Sequence, residues 1–157
     1  MSALPPFGLI SATRSAVCNK IKELSFISDA MVVEHKSGNT QAKFNEALSK
    51  TQLAVIVGIE SAKEGQGGDH RVDWKPVLIS VVVFEPPIHQ LLVPAPPDAW
   101  DYAEALVAEL KYAALENAAL PRISEEPLRE IDAVTEGALA VRFSLEMNAT
   151  GNSRPTP

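Results

Sequence analysis

The chain has 157 residues, of which 46% are hydrophobic and 22% charged, and its formal net charge is −6. This composition is that of an ordinary globular domain, and it excludes a collagenous, coiled-coil or disordered chain. The acidic balance argues against a generic nucleic-acid binder, because such proteins usually present a basic face.

The length suits one domain, which we predict over residues 1–148, with 149–157 as a disordered C-terminal tail. The single cysteine, Cys18, excludes an intrachain disulfide and is compatible with a reducing compartment. The first ten residues carry no positive charge, so we do not expect a secretory signal there. The apolar runs are far shorter than the ~20 residues that cross a bilayer, so no membrane contact is expected.

The N-terminal third is predicted to be mainly helical. Ser11 or Thr13 can cap a first helix, in which apolar residues recur at three- and four-residue spacing up to Leu24. A short strand over 31–33 follows, and Thr40 can cap a short second helix.

The middle of the chain holds two apolar, β-branched segments, Leu53–Ile59 and Val77–Phe84. Such runs are typical of strands that are buried on both sides. The glycine-rich segment between them has no periodicity, so Glu64–Arg71 is predicted to be a mobile loop. Pro86 and Pro87 end the second strand, since proline cannot continue a hydrogen-bonded ladder.

The helix Ala99–Asn117 is the clearest element, with Asp98 as its cap and an apolar stripe along one face. The sequence after this helix predicts a β-hairpin. Leu128–Val134 alternates loosely, Gly137 suits the turn, and Leu139–Met147 alternates strictly between apolar and other residues. One face of that last strand is therefore expected on the core and the other towards solvent or a partner.

Together these elements predict an α/β (α+β) domain. We expect a single, mainly antiparallel sheet of about four strands, with the helices packed on one face.

The search for chemistry gives one enzymatic hypothesis. Asp73 and Lys75 at a strand start, downstream of Glu60, are typical of metal-dependent nucleases, in which carboxylates hold a divalent ion and lysine steadies water or phosphate. Such short matches are common by chance. His70 beside Asp69 offers a loose metal site, although a solvated loop explains the same residues.

Other catalytic patterns are not present in the sequence. The glycines after Glu64 do not fit a phosphate-binding loop, because no Lys-Ser/Thr pair follows them. Cys18 lies in a predicted amphipathic helix, where a buried, inert thiol is usual. These observations favour a binding or structural role without a cofactor.

The strand that runs into the Glu85–Pro86 step, followed by a helix rich in Ala, Leu and Glu, resembles the phage tail terminator and minor tail protein family, in particular the lambda-like terminators. The resemblance covers roughly residues 10 to 148 and rests on the order of elements. It implies a tail-terminator-like fold and a non-enzymatic subunit that forms a ring, typically a hexamer. Such a ring caps the tail tube and provides the surface for joining the head.

The resemblance further implies the tail tube protein and head-tail connector proteins as partners, and a place in the virion tail after assembly in the host cytoplasm. No contact with nucleic acid is predicted. Candidate interface residues come from the loop, an apolar run and the last strand: Gly65, Gly67, Gly68, His70, Arg71, Leu91, Leu92 and Arg142. For the run at Leu91 and Leu92, a buried strand or a loop packed on the core is the alternative.

Two other functions stay open at this point. One is another head-tail completion or adaptor protein of the same particle. The other is the small metal-dependent nuclease that would use Glu60, Asp73 and Lys75.

Overall fold

A computed structural model describes residues 8–36, 38, 40–51, 53–65, 71–87, 94, 96–111, 122–123, 128–132 and 137–152. Its helices are α1 (Leu9–Lys22), α2 (Thr40–Thr51) and α3 (Ala99–Leu110), and a short 3-10 turn spans Asp29–Met31. Its strands are β1 (Val32–Glu34), β2 (Ala54–Glu64), β3 (Arg71–Glu85), β4 (Arg122–Ile123), β5 (Arg129–Ile131) and β6 (Leu139–Asn152).

The strands of this described part form one six-stranded mixed sheet in the order β1-β2-β3-β6, and both β4 and β5 pair with the outer edge of β6. The prediction of about four strands was too low. The ladders are antiparallel except that β1 and β2 run parallel, which is possible because α2 provides the crossover between them. The short strands β1, β4 and β5 are too brief to give a clear periodic pattern.

One face of the sheet, here called the core face, packs against α1 and α3. On this face, apolar residues of neighbouring strands are paired across the sheet. For example, Val55, Val83 and Val141 align across three strands. Burial of these side chains supplies the main hydrophobic stabilisation of the domain. The fully buried residues of this core include Val17, Ile21, Val57, Ile79, Val81, Leu106, Leu110, Phe143 and Leu145.

The other face, here called the back face, carries α2. Ala47 of α2 is fully buried against Val33 and Ala54, and Phe44 of the same helix meets Phe84 edge-on with ring centroids 5.2 Å apart. The expectation that all helices pack on one face is therefore wrong. The apolar strands β1 and β2 have hydrophobic residues on both faces, and each face takes a helix.

The helix starts differ in how well they follow from the sequence. Asp98 caps α3 as predicted: its carboxylate accepts from the backbone N–H of Asp101 at 2.9 Å, and the Asp101 carboxylate accepts from the Asp98 N–H at 3.0 Å. In contrast, α1 begins at Leu9 after Gly8, and Thr13 lies inside the helix, where its hydroxyl donates to the Leu9 carbonyl at 2.8 Å. Neither Ser11 nor Thr13 is the cap.

The predicted C-terminal hairpin is confirmed by the antiparallel pairing of β5 with β6, and Gly137 before β6 has a positive φ of 80°. β6 continues to Asn152, which pairs with Arg71 of β3, so residues 149–152 belong to the sheet. Of the predicted helix to Asn117, residues 112–117 lie outside the described residues. The same holds for 66–70 in the predicted loop and for 153–157 in the predicted tail.

Candidate interaction surfaces

Beyond α2, no other described helix packs on the back face, and an ion pair lies across its centre. Arg142 of β6 pairs with the carboxylate of Glu60 on β2, so the two side chains span the middle strand β3. Ser144 donates a hydrogen bond to the same carboxylate at 3.1 Å. The small residues Gly58 and Ser80, aligned with Ser144, leave room for this pair to lie over the strand.

The ion pair is only partly exposed. The Arg142 and Glu60 side chains are 21% and 29% exposed. Nε of Arg142 is buried and has no hydrogen-bond partner among the described residues. Arg129 of β5 lies directly opposite Arg142 in the sheet, which adds a second positive charge to this part of the back face.

The predicted interface residues do not form one patch in the described part of the chain. Gly65 ends the β2 side of the hairpin, where an added Cβ would lie 3.1 Å from the Lys75 side chain. Arg71 begins β3, whereas Arg142 pairs with Val82, eleven residues further along that strand and roughly 36 Å away at strand spacing. Gly67, Gly68, His70, Leu91 and Leu92 lie outside the described residues.

The predicted nuclease residues are also separated. Glu60 lies at a bulge of β2 opposite Leu78, whereas Asp73 is five residues away on β3 and pairs with Thr150. At strand spacing this is about 16 Å, too far for two carboxylates to share one metal ion. The described residues contain no group of three or more His, Cys, Asp or Glu side chains that could hold a metal.

A second polar cluster joins α1 to the edge strand β1. The Glu34 carboxylate accepts from Arg14 Nε at 3.1 Å and from the Ser15 hydroxyl at 3.3 Å. Arg14 also donates to the backbone carbonyl of His35 at 3.2 Å. Because these contacts use most of the acceptor capacity of Glu34, the cluster fixes α1 to the sheet.

Cys18 lies beside this cluster and is buried. Burial, and after it the nearby Glu34 carboxylate, raises the pKa of the Cys18 thiol from 9.0 to about 12. The thiolate, which is the nucleophilic form, is therefore scarce at neutral pH. Cys18 is a core side chain in this fold, as its helical position predicted.

Glu85, the residue of the family-like step before Pro86, is 1% exposed. Its Oε2 accepts from the backbone N–H of Ala99, the first residue of α3, at 2.8 Å. A carboxylate at this place is favoured by the positive end of the helix dipole. The second oxygen, Oε1, is buried and has no partner among the described residues. Glu85 thus connects the end of β3 to the start of α3.

The outer surface of α3 is acidic and carries Trp100, which is 38% exposed. No other large hydrophobic side chain is as exposed in the described part of the chain. Asp101 and Glu104, within one turn of Trp100, are also exposed. Trp100 lies next to the apolar stripe of Ala99, Ala103 and Leu106 in the sequence, but no motif there marks it as a surface residue of interest.

A groove lies on the back face beside the first turn of α2. Its volume is about 240 Å³, and three of its walls are apolar. The residues that line it are Val33, His35, Thr40, Gln41, Phe44 and Ile56. Nothing in the sequence pattern pointed to this groove, because it depends on how α2 crosses β1 and β2.

None of the described helices is long and apolar enough to span a membrane. No protein-family model matches the chain, and no curated protein is similar to it in sequence.

Proposed function

We propose that the protein is a non-enzymatic structural subunit of a phage or prophage tail, namely the terminator that caps the tail tube as a ring and provides the head-joining surface. The observation that carries the proposal is the order of elements. The chain has a first helix, a short helix that leads into a strand, a second long strand, a helix and a closing hairpin. The resemblance to the tail terminator family rests on this order.

The surfaces of the described residues support a role in assembly. Among the described helices, α2 alone packs on the back face, and beyond it lies the Glu60–Arg142 pair beside half-buried Val82 and Leu78. Subunit interfaces combine apolar area with hydrogen-bonding groups, and Arg is among the residues enriched in them. Glu60 pairs with Arg142, and Asp73 lies five residues along β3 from the position opposite Glu60, which favours the structural role over the nuclease alternative.

The proposal names a ring of identical subunits, with a hexamer as the expected form. The tail tube protein and the head-tail connector proteins are its partners, and the virion tail is its final place. It requires no cofactor.

The experiment that tests the function is tube growth in the presence of the protein. Tail tube protein purified from the phage or prophage that encodes this chain is allowed to polymerise with and without it, and tube lengths are measured by electron microscopy. A terminator shortens the tubes and is found at one end of each. Tubes of unchanged length with no protein at their ends would contradict the proposal, and binding to the head connector alone would identify a head-tail adaptor instead.

A further inference from the structure

The exposed Trp100 has the properties of an anchor for a partner. Tryptophan buries a large area at low entropic cost, and it is enriched among the residues that dominate interface energies. Here it lies at the second position of α3 on the outer surface, 38% exposed, although the helix around it is well packed on the core face.

The groove beside α2 is a suitable receptor for such a side chain. Val33, Phe44 and Ile56 provide its apolar walls. A cavity of about 150 Å³ can hold a benzene ring, so a volume of about 240 Å³ is of the size that an indole requires.

The charges around the two features are opposite. Asp101 and Glu104 flank Trp100, and both are exposed. Lys36 follows His35 of the groove and Lys43 precedes Phe44, and both lysines are exposed, Lys36 with its Nζ 3.8 Å from the Glu34 carboxylate. The wider chain has the same asymmetry: six Lys and Arg against four Asp and Glu in residues 1–51, but eight against sixteen in the remainder.

The two features also lie on opposite sides of the sheet, because α3 packs on the core face and the groove is on the back face. One neighbouring copy of the chain would therefore bind Trp100, and a different neighbouring copy would fill the groove. Such a head-to-tail interface adds subunits in one direction and produces a closed ring when the rotation between them permits.

We infer that Trp100 of one copy of this chain inserts into the groove beside α2 of the next copy, with Asp101 and Glu104 facing Lys36 and Lys43. The inference rests on the proposed function, since it names the two surfaces that join the subunits of the ring. It makes α3 the inserting element and α2 the receiving one.

The test measures self-association of the full chain by sedimentation velocity, over a series of protein concentrations at low salt. Trp100→Ala removes the anchor, and Gln41→Phe fills the groove from an exposed position. Each is expected to weaken self-association at least about tenfold. In a Trp74→Phe background, Trp100 is the remaining tryptophan, and its emission is expected to shift to shorter wavelength as the copies associate.

A charge exchange tests the pairing of the two surfaces. Glu104→Lys is expected to weaken association, and adding Lys43→Glu in the same chain to restore it. Glu109→Lys is the matched control, because it makes the same charge change on an exposed position of α3 about 13 Å along the helix from Trp100. It is expected to leave association unchanged.

The inference is overturned if Trp100→Ala and Gln41→Phe both leave association within about twofold of the wild-type value, or if the exchanged pair stays as weak as Glu104→Lys alone. A wild-type chain that stays monomeric throughout the series also overturns it. The tail function is judged separately by tube growth: a Trp100→Ala protein that still assembles and shortens tubes refutes this interface and leaves the terminator function standing.

Discussion

Glu60 and Arg142 form an ion pair across the middle strand of the sheet, on the face that α2 leaves open. The sequence predicted separate roles for these residues, with Glu60 as a metal ligand of the nuclease alternative and Arg142 as an interface residue. In the structure the two side chains pair with each other, and Ser144 is a further donor to the carboxylate.

This pair should contribute measurably to stability. Because both side chains are less than one-third exposed, its coupling energy is expected to exceed that of a surface pair, at about 1–2 kcal/mol. A double-mutant cycle with Glu60→Gln and Arg142→Met, measured by urea unfolding, gives this value directly. A coupling energy near zero would show that solvent screens the pair.

The packing of α2 on the back face predicts that Ala47 does not tolerate a larger side chain. Ala47→Leu must overpack the space against Val33 and Ala54, so it should lower the free energy of unfolding by about 1–3 kcal/mol. Ala42→Leu on the same helix is the matched control, because Ala42 is exposed and should change stability by less than about 0.5 kcal/mol. Equal effects of the two substitutions would contradict the position of α2.

The contact from Glu85 to the start of α3 predicts that two substitutions of Glu85 lower the stability by different amounts. Glu85→Ala leaves the Ala99 N–H without its acceptor and should cost about 1–3 kcal/mol of stability. Glu85→Gln keeps an oxygen at the same place, so its cost should be smaller. Chemical denaturation of the two variants tests this order, and an equal loss in both would exclude the acceptor role.

The buried thiol of Cys18 predicts a dependence of stability on alkaline pH. The thiol pKa is about 12 in the folded chain and ordinarily 9.0, so the unfolded chain loses this proton first. The contribution of the neutral thiol to the free energy of unfolding is complete below pH 9. It is lost as the pH rises from 9 towards 12, by up to about 1.4 kcal/mol per pH unit. Unfolding free energies of the wild type and Cys18→Ala, measured between pH 8 and about pH 11, should therefore converge as the pH rises. A constant difference between the two proteins would contradict the raised pKa.

The sequence was most informative where a pattern is local. The Asp98 cap and the core-facing positions of Val141, Phe143 and Leu145 depend on spacing within a few residues, and the structure confirms both. The other face of that strand is less exposed than predicted, because Ala140 and Ser144 are buried as well. Local rules failed at the start of α1, where Gly8 precedes the helix and the Thr13 hydroxyl bonds back into it.

The features of the candidate surfaces depend on residues that are distant in the chain. Glu85 meets Ala99 fourteen residues later, and Glu60 meets Arg142 from the other side of β3. The apolar runs predicted strands buried on both sides, yet every helix was expected on one face, because periodicity does not say which helix covers which face. The groove beside α2 arises from that choice, and so the sequence could not reveal it.

We propose that identical copies of this chain join into a closed ring through two different surfaces, Trp100 on α3 and the groove beside α2. Size-exclusion chromatography with light scattering, over a range of concentrations at low salt, measures this most directly. The expected result is a single discrete species whose mass is a small multiple of 16.9 kDa, six being the expected number for the ring, and its loss in Trp100→Ala. A species of 16.9 kDa at every concentration, or an oligomer that Trp100→Ala leaves intact, would contradict it.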